Sequence, residues 1–292
     1  MLLSGGGLAS GQDVGDEVAV GGGGVEREAT IEDVVGGYDW IREGSGGLGA
    51  VAAIDIPRGF RFVGRGDTQK LMTVFGNPLT GREEGVIAPE SLEWFVVFEF
   101  NESGYVKDDE KDELDADEMF AEMKGNEKYA NEARSKAGYS QLYLTGWVQE
   151  PRYNDETNNL EWALGLRSEN GGENVNYETK LLGRSGVMDV TLVCNPDVLD
   201  AVLPIYQDLL LGYRYSEGNT YAEFEDGDKL AEYGLTGLIV GGGAVVAGKL
   251  GLFAVLGKFF AKAWKLVIVG VVGIGAFLKK LLGGGKSGYT QD

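Results

Sequence analysis

Histidine is absent from the 292-residue sequence, and cysteine occurs only once. Without histidine the chain lacks the side chain that titrates near neutral pH and most often serves as a general base or a zinc ligand. Catalytic triads built on histidine are therefore excluded. The single Cys194 excludes an intramolecular disulfide, and its setting in the apolar run DVTLVCNPD predicts a buried thiol that packs as a small hydrophobic side chain.

Basic residues are scarce before residue 234 and concentrated after it. The first 233 residues carry 19 basic and 45 acidic side chains, a net charge of −26, whereas the remainder carries seven lysines and one aspartate, a net charge of +6. An acidic body repels nucleic acid phosphates, so we expect no nucleic acid partner. A basic and apolar tail is instead attracted to anionic lipid headgroups.

The stretch GGGAVVAGKL, residues 241–250, has the glycine and lysine spacing of a phosphate-binding loop. Such a loop requires serine or threonine directly after the lysine to hold magnesium, but Leu250 follows Lys249. Residues 233–257 are instead apolar over roughly the 20 residues that cross a hydrocarbon core, and Lys249 is their only charge. We therefore predict a membrane helix here.

Small residues recur four apart along this predicted helix, as in the pairs Gly237 with Gly241 and Ala244 with Gly248. This spacing lets a second helix approach closely, either within the chain or from a protein partner or a second copy. Within the chain the candidate is residues 263–282. Its uncharged core of 13 residues is short for a span, which leaves a re-entrant or interfacial helix as the alternative.

The segment KFFAKAWK joins the two hydrophobic helices and combines lysines with aromatic residues. Such a segment belongs at the lipid headgroups on the cytoplasmic side of a membrane. The anchor residues that it contributes are Lys258, Lys262, Trp264 and Lys265. We therefore expect the lipid bilayer to be a partner and the acidic domain to lie outside the cytoplasm.

Composition divides the chain into four parts. Residues 1–30 are rich in glycine and acids, lack the basic and apolar regions of a signal peptide, and predict a flexible leader. Residues 31–232 predict an acidic soluble domain. Residues 233–282 predict membrane-associated helices, and residues 283–292 predict a polar tail.

No cofactor and no metal are expected. Gly44, Gly46 and Gly49 have the spacing of a dinucleotide-binding loop, but they precede a predicted strand when they should follow one. An EF-hand loop that began at Asp108 would require glycine and glutamate at its sixth and twelfth positions, and neither is there. The acid run is instead predicted to be the solvent-exposed start of a helix.

Between the leader and the apolar tail, segments with strand and helix patterns alternate. Four alternating runs, separated by turn residues, predict an antiparallel meander: QLYLTGWVQEPRYN, NLEWALGLRSEN, VNYETKLLGRS and GVMDVTLVCN. Helices are predicted for GDTQKLMTVFG, for the segment after the acid run, and for PDVLDAVLPIYQDLLLG. We predict an α+β fold, an antiparallel sheet with helices on one face, followed by a C-terminal hydrophobic helical hairpin.

These segments resemble a known family. Pieces such as IPRGFRFVG, SGYVKDDEKDELDADEM and the long stretch around Trp147, Arg152, Tyr153 and Trp162 are similar to the membrane-anchored proteins grouped as domain of unknown function 2167. The resemblance covers residues 31–282. It implies an extracytoplasmic domain held by C-terminal helices and supplies no known activity or catalytic residue.

The function that these features favour is partner binding or scaffolding beside a membrane, without catalysis. The candidate interaction surface is Trp147, Arg152, Tyr153 and Trp162, because these residue types dominate interface energetics. The alternative is that the tryptophans pack the core of the sheet. Two other functions stay open: a small-molecule or ion-binding module, which a cavity lined by polar groups would favour, and a hydrolase, which a close carboxylate pair in a cleft would favour.

Overall fold

The computed structural model describes residues 35–241, which all belong to one compact unit. Its strands are β1 (Ser45–Leu48), β2 (Ala52–Asp55), β3 (Phe60–Gly64), β4 (Glu83–Pro89), β5 (Phe95–Asn101), β6 (Leu142–Asn154), β7 (Asn159–Ser168), β8 (Glu173–Leu182), β9 (Val187–Cys194) and β10 (Tyr213–Tyr215). Its helices are α1 (Arg65–Val74), α2 (Ala116–Lys136), α3 (Leu199–Leu210) and α4 (Leu235–Gly241).

Seven strands form the main sheet in the order β3-β4-β5-β9-β8-β7-β6, and β1, β2 and β10 form a separate sheet. Every pairing in both sheets is antiparallel. Strands β6 to β9 follow one another along the chain and pair as neighbours, which confirms the predicted meander. The α+β class with an antiparallel sheet is likewise confirmed.

The helices do not share one face of the main sheet, so that part of the prediction is wrong. Because side chains alternate along a strand, Leu192 and Val193 of β9 point to opposite faces. Leu192 packs in a cluster with α3 and the small sheet, whereas Val193 packs in a cluster with α1. Strands β5, β8 and β9 are buried on both faces, and each face therefore needs its own cover.

The covers differ between the two faces. One face carries α3, whose Val202 and Tyr206 pack among the strands together with the small sheet. We call the opposite face the α1 face. It carries α1 at one end, and α2 and α4 at the other, where Met119 and Leu235 contact the β6 and β7 side chains. Cys194 is buried beneath α3, as expected, and burial raises the pKa of its thiol to about 12.

Helix α2 closes part of an open sheet edge. Strand β6 is the last strand of the main sheet, so half of its backbone groups face away from β7. The Asn131 side chain donates to the Leu142 carbonyl at 2.8 Å and accepts from the Leu142 N–H at 2.9 Å. Glu127 accepts from the Leu144 N–H at 2.7 Å, and Lys124 donates to the Leu144 carbonyl at 3.0 Å. Side chains of α2 thus take the place of a further strand.

The termini of α2 agree with the charge pattern of the sequence. Its N-cap is Asp115, whose carboxylate accepts the Glu118 N–H at 2.9 Å, and acidic residues follow in the first turn. Arg134 and Lys136 lie in the last turn, where positive charge is favoured. Only the end of the acid run forms the start of the predicted helix, since Lys111–Glu113 form a separate short 3-10 helix before it.

Candidate functional site

The β6–β7 hairpin carries all four residues of the predicted interaction surface, but it places them in different surroundings. Trp162 on β7 is 3% exposed and packs on the α1 face among core side chains. Its ring lies 5.2 Å from the Lys180 Nζ. Trp162 is therefore part of the core, and it does not reach the protein surface.

Trp147 on β6 is half-buried between the hairpin and α2. Its indole Nε1 donates to the Ala116 carbonyl at 3.0 Å, and its ring lies 5.7 Å from that of Phe120. These contacts hold the start of α2 against β6.

Arg152 is the most exposed of the four, with 56% of its side chain accessible. Its Nε and Nη2 donate to one oxygen of Glu161 at 3.2 and 2.8 Å, and its Nη2 also donates to the Tyr177 hydroxyl at 3.3 Å. The hydrogen bond with Glu161 raises the pKa of Arg152. The guanidinium is therefore fixed in orientation while it faces solvent.

Tyr177 joins this group from β8. Its hydroxyl donates to Glu161 at 3.0 Å and accepts from the Gln149 side chain at 3.2 Å. Burial raises the pKa of the Tyr177 hydroxyl, which stays protonated and able to donate. We call Gln149, Arg152, Glu161 and Tyr177 the Arg152 cluster. It lies on the face that also carries α3.

Tyr153 points to the other side of the hairpin and ties it to the acid run. Its hydroxyl donates to Asp108 at 3.0 Å and accepts from the Asn158 side chain at 3.0 Å. Burial raises the pKa of Tyr153. At the tip of the hairpin, Asp155 pairs with Lys111 of the same acid run. Trp147 and Tyr153 thus share one side of the hairpin, and Arg152 occupies the opposite side.

Only part of the predicted membrane anchor lies in the described residues. Gly237 and Gly241 belong to α4, in which Leu235 and Leu238 are buried against the domain core. A Cβ atom on Gly237 would lie 2.7 Å from the Cβ of Tyr233, whereas a Cβ on Gly241 would contact nothing within 4 Å. Within residues 35–241, no helix has the length and apolar character to cross a bilayer.

The other predicted anchor residues lie outside the described range. These are Gly248, Lys249, Lys258, Lys262, Trp264 and Lys265. The predicted helical hairpin and its orientation in a membrane therefore stay predictions.

A row of buried charges crosses the middle of the α1 face, and the sequence did not indicate it. Glu83 on β4, Glu99 on β5, Asp189 on β9 and Lys180 on β8 stand opposite one another on neighbouring strands. Each of the four is at most 3% exposed. Glu99 and Asp189 each stand alone in an apolar run, VFEF and VMDV, a pattern that normally marks a solvent-facing position.

Lys180 is the centre of this charge row. Its Nζ lies 3.0 Å from a Glu178 oxygen and 3.2 Å from an Asp189 oxygen. Burial alone would lower the pKa of Lys180, but the charges of Asp189 and Glu178 outweigh it and raise that pKa. Glu178 also accepts from the Thr191 hydroxyl at 3.1 Å. The lysine is thus held ionised between two carboxylates.

Residues 76–82, which we call the strap, link α1 to β4 beside the charge row. Thr80 of the strap contacts both Glu83 and Glu99 through its hydroxyl. Arg82 at the end of the strap lies 3.5 Å from Asp189. The charge row and the strap therefore form one connected polar network.

Two open clefts on the described surface lie away from the charge row. One, of about 460 Å³, is lined by acids that include Asp112, Asp117 and Glu150. Another, of about 350 Å³, is lined by Phe100, Arg184 and neighbouring residues. Neither cleft is lined by Glu83 or Glu99, which are at most 3% exposed. Among the described residues, no group of three or more potential ligands could hold a metal ion.

The fold and the hairpin define a small α+β domain whose main antiparallel sheet is covered on both faces. The family described as "Protein of unknown function (DUF2167)" matches residues 41–274, most of the chain. The chain belongs to this family.

No curated protein is significantly similar to the chain. Among solved structures, the chain is similar to the solution structure of cyanobacterial PsbP (CyanoP) from Synechocystis sp. PCC 6803, with 16% identity and a TM-score of 0.35. The similarity covers 59% of this chain and 90% of that one.

Proposed function

We propose that the chain is a membrane-anchored protein whose acidic domain binds a protein partner through the β6–β7 hairpin. The observation that carries the proposal is the Arg152 cluster. A flexible arginine normally loses side-chain entropy when it enters an interface. The Arg152 guanidinium is already oriented by Glu161 and Tyr177 while more than half of its side chain faces solvent. Arginine and tyrosine in such settings are frequent centres of binding energy.

The remainder of the hairpin supports the same role. Val148 beside the cluster is 49% exposed and supplies apolar contact area. Lys111 and Asp108 hold the opposite side of the hairpin through Asp155 and Tyr153. A partner would therefore meet a surface that needs little rearrangement on binding. The domain would lie on the extracytoplasmic side, because the basic linker of the anchor favours the cytoplasmic side.

Anchoring gives the first test. The full-length protein is expected to pellet with membranes and to remain there through high-salt and carbonate washes, because apolar burial is not screened by salt. A variant that lacks Ala244–Asp292 keeps α4, whose Leu235 and Leu238 complete the core, and is expected to be soluble. Sedimentation with immunoblotting measures both. A full-length chain that stays in the supernatant without detergent contradicts the proposal.

Partner binding gives the second test. A photo-crosslinking amino acid at Val148, in native membranes, is expected to give a discrete crosslinked species whose yield falls about tenfold or more with Arg152→Ala. Arg152→Lys is expected to fall nearly as far, because lysine keeps the charge but not the guanidinium fork.

Two controls make this result specific. The same crosslinker at Tyr129, which is 63% exposed on α2, is expected to give no such species. Arg167→Ala, a change of an exposed arginine on β7 outside the cluster, is expected to leave the yield unchanged. Equal crosslinking in wild type and Arg152→Ala would remove the hairpin as the binding surface.

A further inference from the structure

The Thr80 hydroxyl stands between two buried carboxyl groups. Its Oγ1 contacts one oxygen of Glu99 and lies 3.0 Å from one oxygen of Glu83. It also accepts the backbone N–H of Arg82 at 3.2 Å. A hydroxyl has one proton to donate and two lone pairs that accept. It can therefore donate to only one of the two carboxyl groups, and the other contact requires a proton on the acid itself.

The donors around the two acids show which one carries that proton. Glu83 also accepts the Thr80 backbone N–H and, at 3.4 Å, the Gln69 side chain. Burial would raise the pKa of Glu83, but these hydrogen bonds outweigh it and lower that pKa, so Glu83 is ionised. The Thr80 hydroxyl then donates to Glu83, and its second lone pair accepts the O–H of Glu99.

We propose that Glu99 keeps its proton in the folded protein at neutral pH and uses it to latch the strap to the sheet, so that loss of this proton releases the strap. The proton leaves to solvent as a hydronium or buffer-bound proton. The Glu99 carboxylate then lacks the hydrogen bond to Thr80 Oγ1. The two negative charges of Glu83 and Glu99, on adjacent strands, repel each other.

The groups that face Glu99 agree with this assignment. Burial raises the pKa of Glu99, the Arg82 charge lowers it, and the Asp189 charge raises it again, with a net rise. The charged groups around it are Arg82 from the strap, Glu83 from β4, Asp189 from β9, and Lys180 with Glu178 from β8. Because Lys180 already lies between Glu178 and Asp189, it contributes little to an ionised Glu99.

The strap has the features of a segment that can open locally. Gly76 and Gly81 near its ends have φ values of 70° and 77°, which side chains rarely adopt. Between them Leu79 is 48% exposed, so few apolar contacts hold the centre of the strap. The beginning of the strap stays fixed, since the Asn77 N–H donates to the Met72 carbonyl at 2.8 Å. Opening would therefore move the segment around Thr80 and admit water to the charge row.

Infrared spectroscopy of the full-length protein in detergent locates the proton. At neutral pH the spectrum is expected to show the C=O stretch of a buried protonated carboxyl, which disappears in Glu99→Gln and persists in Glu83→Gln. In wild type the band is expected to vanish as the pH is raised through the folded-state pKa of Glu99. Absence of the band at neutral pH, or its loss in Glu83→Gln but not in Glu99→Gln, overturns the proposal.

Hydrogen exchange tests the release of the strap. After correction for intrinsic rates, protection of the Thr80 amide is expected to fall about tenfold or more over the pH range in which the infrared band is lost. A tenfold fall corresponds to about 1.4 kcal/mol in the free energy of opening. In Glu99→Gln, protection is expected to be independent of pH. Protection of the Asn77 amide is the internal control. If Thr80 protection stays unchanged while the band disappears, loss of the Glu99 proton does not release the strap, and the proposal is overturned.

The stability of the domain has the matching pH dependence. An ordinary glutamate has a pKa of 4.5, and the pKa of Glu99 is raised above it in the folded state. Unfolding at neutral pH therefore releases a proton. The stability linked to Glu99 is complete below the unfolded pKa and is lost as the pH rises to the folded pKa. This decline is expected to be absent in Glu99→Gln.

Discussion

Replacing Lys180 by methionine is expected to lower the free energy of unfolding by about 3 to 5 kcal/mol, because the change leaves two buried carboxylates without their cation. Glu178 and Asp189 lie 3.0 and 3.2 Å from the Lys180 Nζ, and the lysine is 1% exposed. Urea denaturation of the domain that ends at Gly243, followed by tryptophan fluorescence, measures the loss.

Two further variants separate charge from packing in this experiment. Lys128→Met removes a lysine that is 80% exposed and 3.9 Å from Glu132, and it is expected to change stability little. Adding Glu178→Gln and Asp189→Asn to Lys180→Met is expected to recover part of the loss, because a buried ion group can be replaced by neutral groups at small cost. If Lys180→Met were as stable as Lys128→Met, the charge row would not contribute to the fold in this way.

Replacing Trp162 by alanine is expected to lower the free energy of unfolding by about 3 to 5 kcal/mol, the usual cost of removing a buried aromatic side chain. Trp162 is 3% exposed, packs with residues of α2 and α4, and lies over the Lys180 ammonium. The same denaturation measurement applies. Trp147→Ala is the comparison, and its cost is expected to be smaller because that indole is only half-buried.

This pair of variants also distinguishes a core role from an interface role. If Trp162 acts only through packing, Trp162→Phe is expected to keep the fold and leave crosslinking from Val148 unchanged. A Trp162→Phe variant that is stable yet loses the crosslinked partner would contradict its assignment to the core. A Trp162→Ala variant as stable as wild type would contradict it as well.

Local pattern accounts for the elements that the sequence predicted. The four strands of the meander are adjacent in the chain, so alternation and turn residues were enough to find them. The charges at the ends of α2 also act within one or two turns, where helix termini favour them. The helix before Gly76 ends where glycine adopts a positive φ of 70°.

The assignment of side chains to core or surface depended on contacts that the local pattern does not contain. Judged by residue type alone, Trp162 and Arg152 both favour an interface role. In the structure, α2 and α4 cover Trp162, whereas Arg152 lies outside that cover. The number of covered faces was wrong for the same reason. Apolar runs such as VVFEF fit one buried face or two, and only the position of a strand within the sheet decides between them.

The sequence by itself determined the four strands of the meander, the helices α1, α2 and α3, the acidic character of the domain and the basic, apolar character of the tail, because each depends on neighbours a few residues apart. The tertiary structure decided how β5 pairs with β9, and this pairing sets Glu99 opposite Asp189. Residues about ninety positions apart become neighbours only when the sheet closes. The charge row, the Thr80 contact and the strap over it follow from that closure, since one acid among apolar residues has no partner until another strand supplies it.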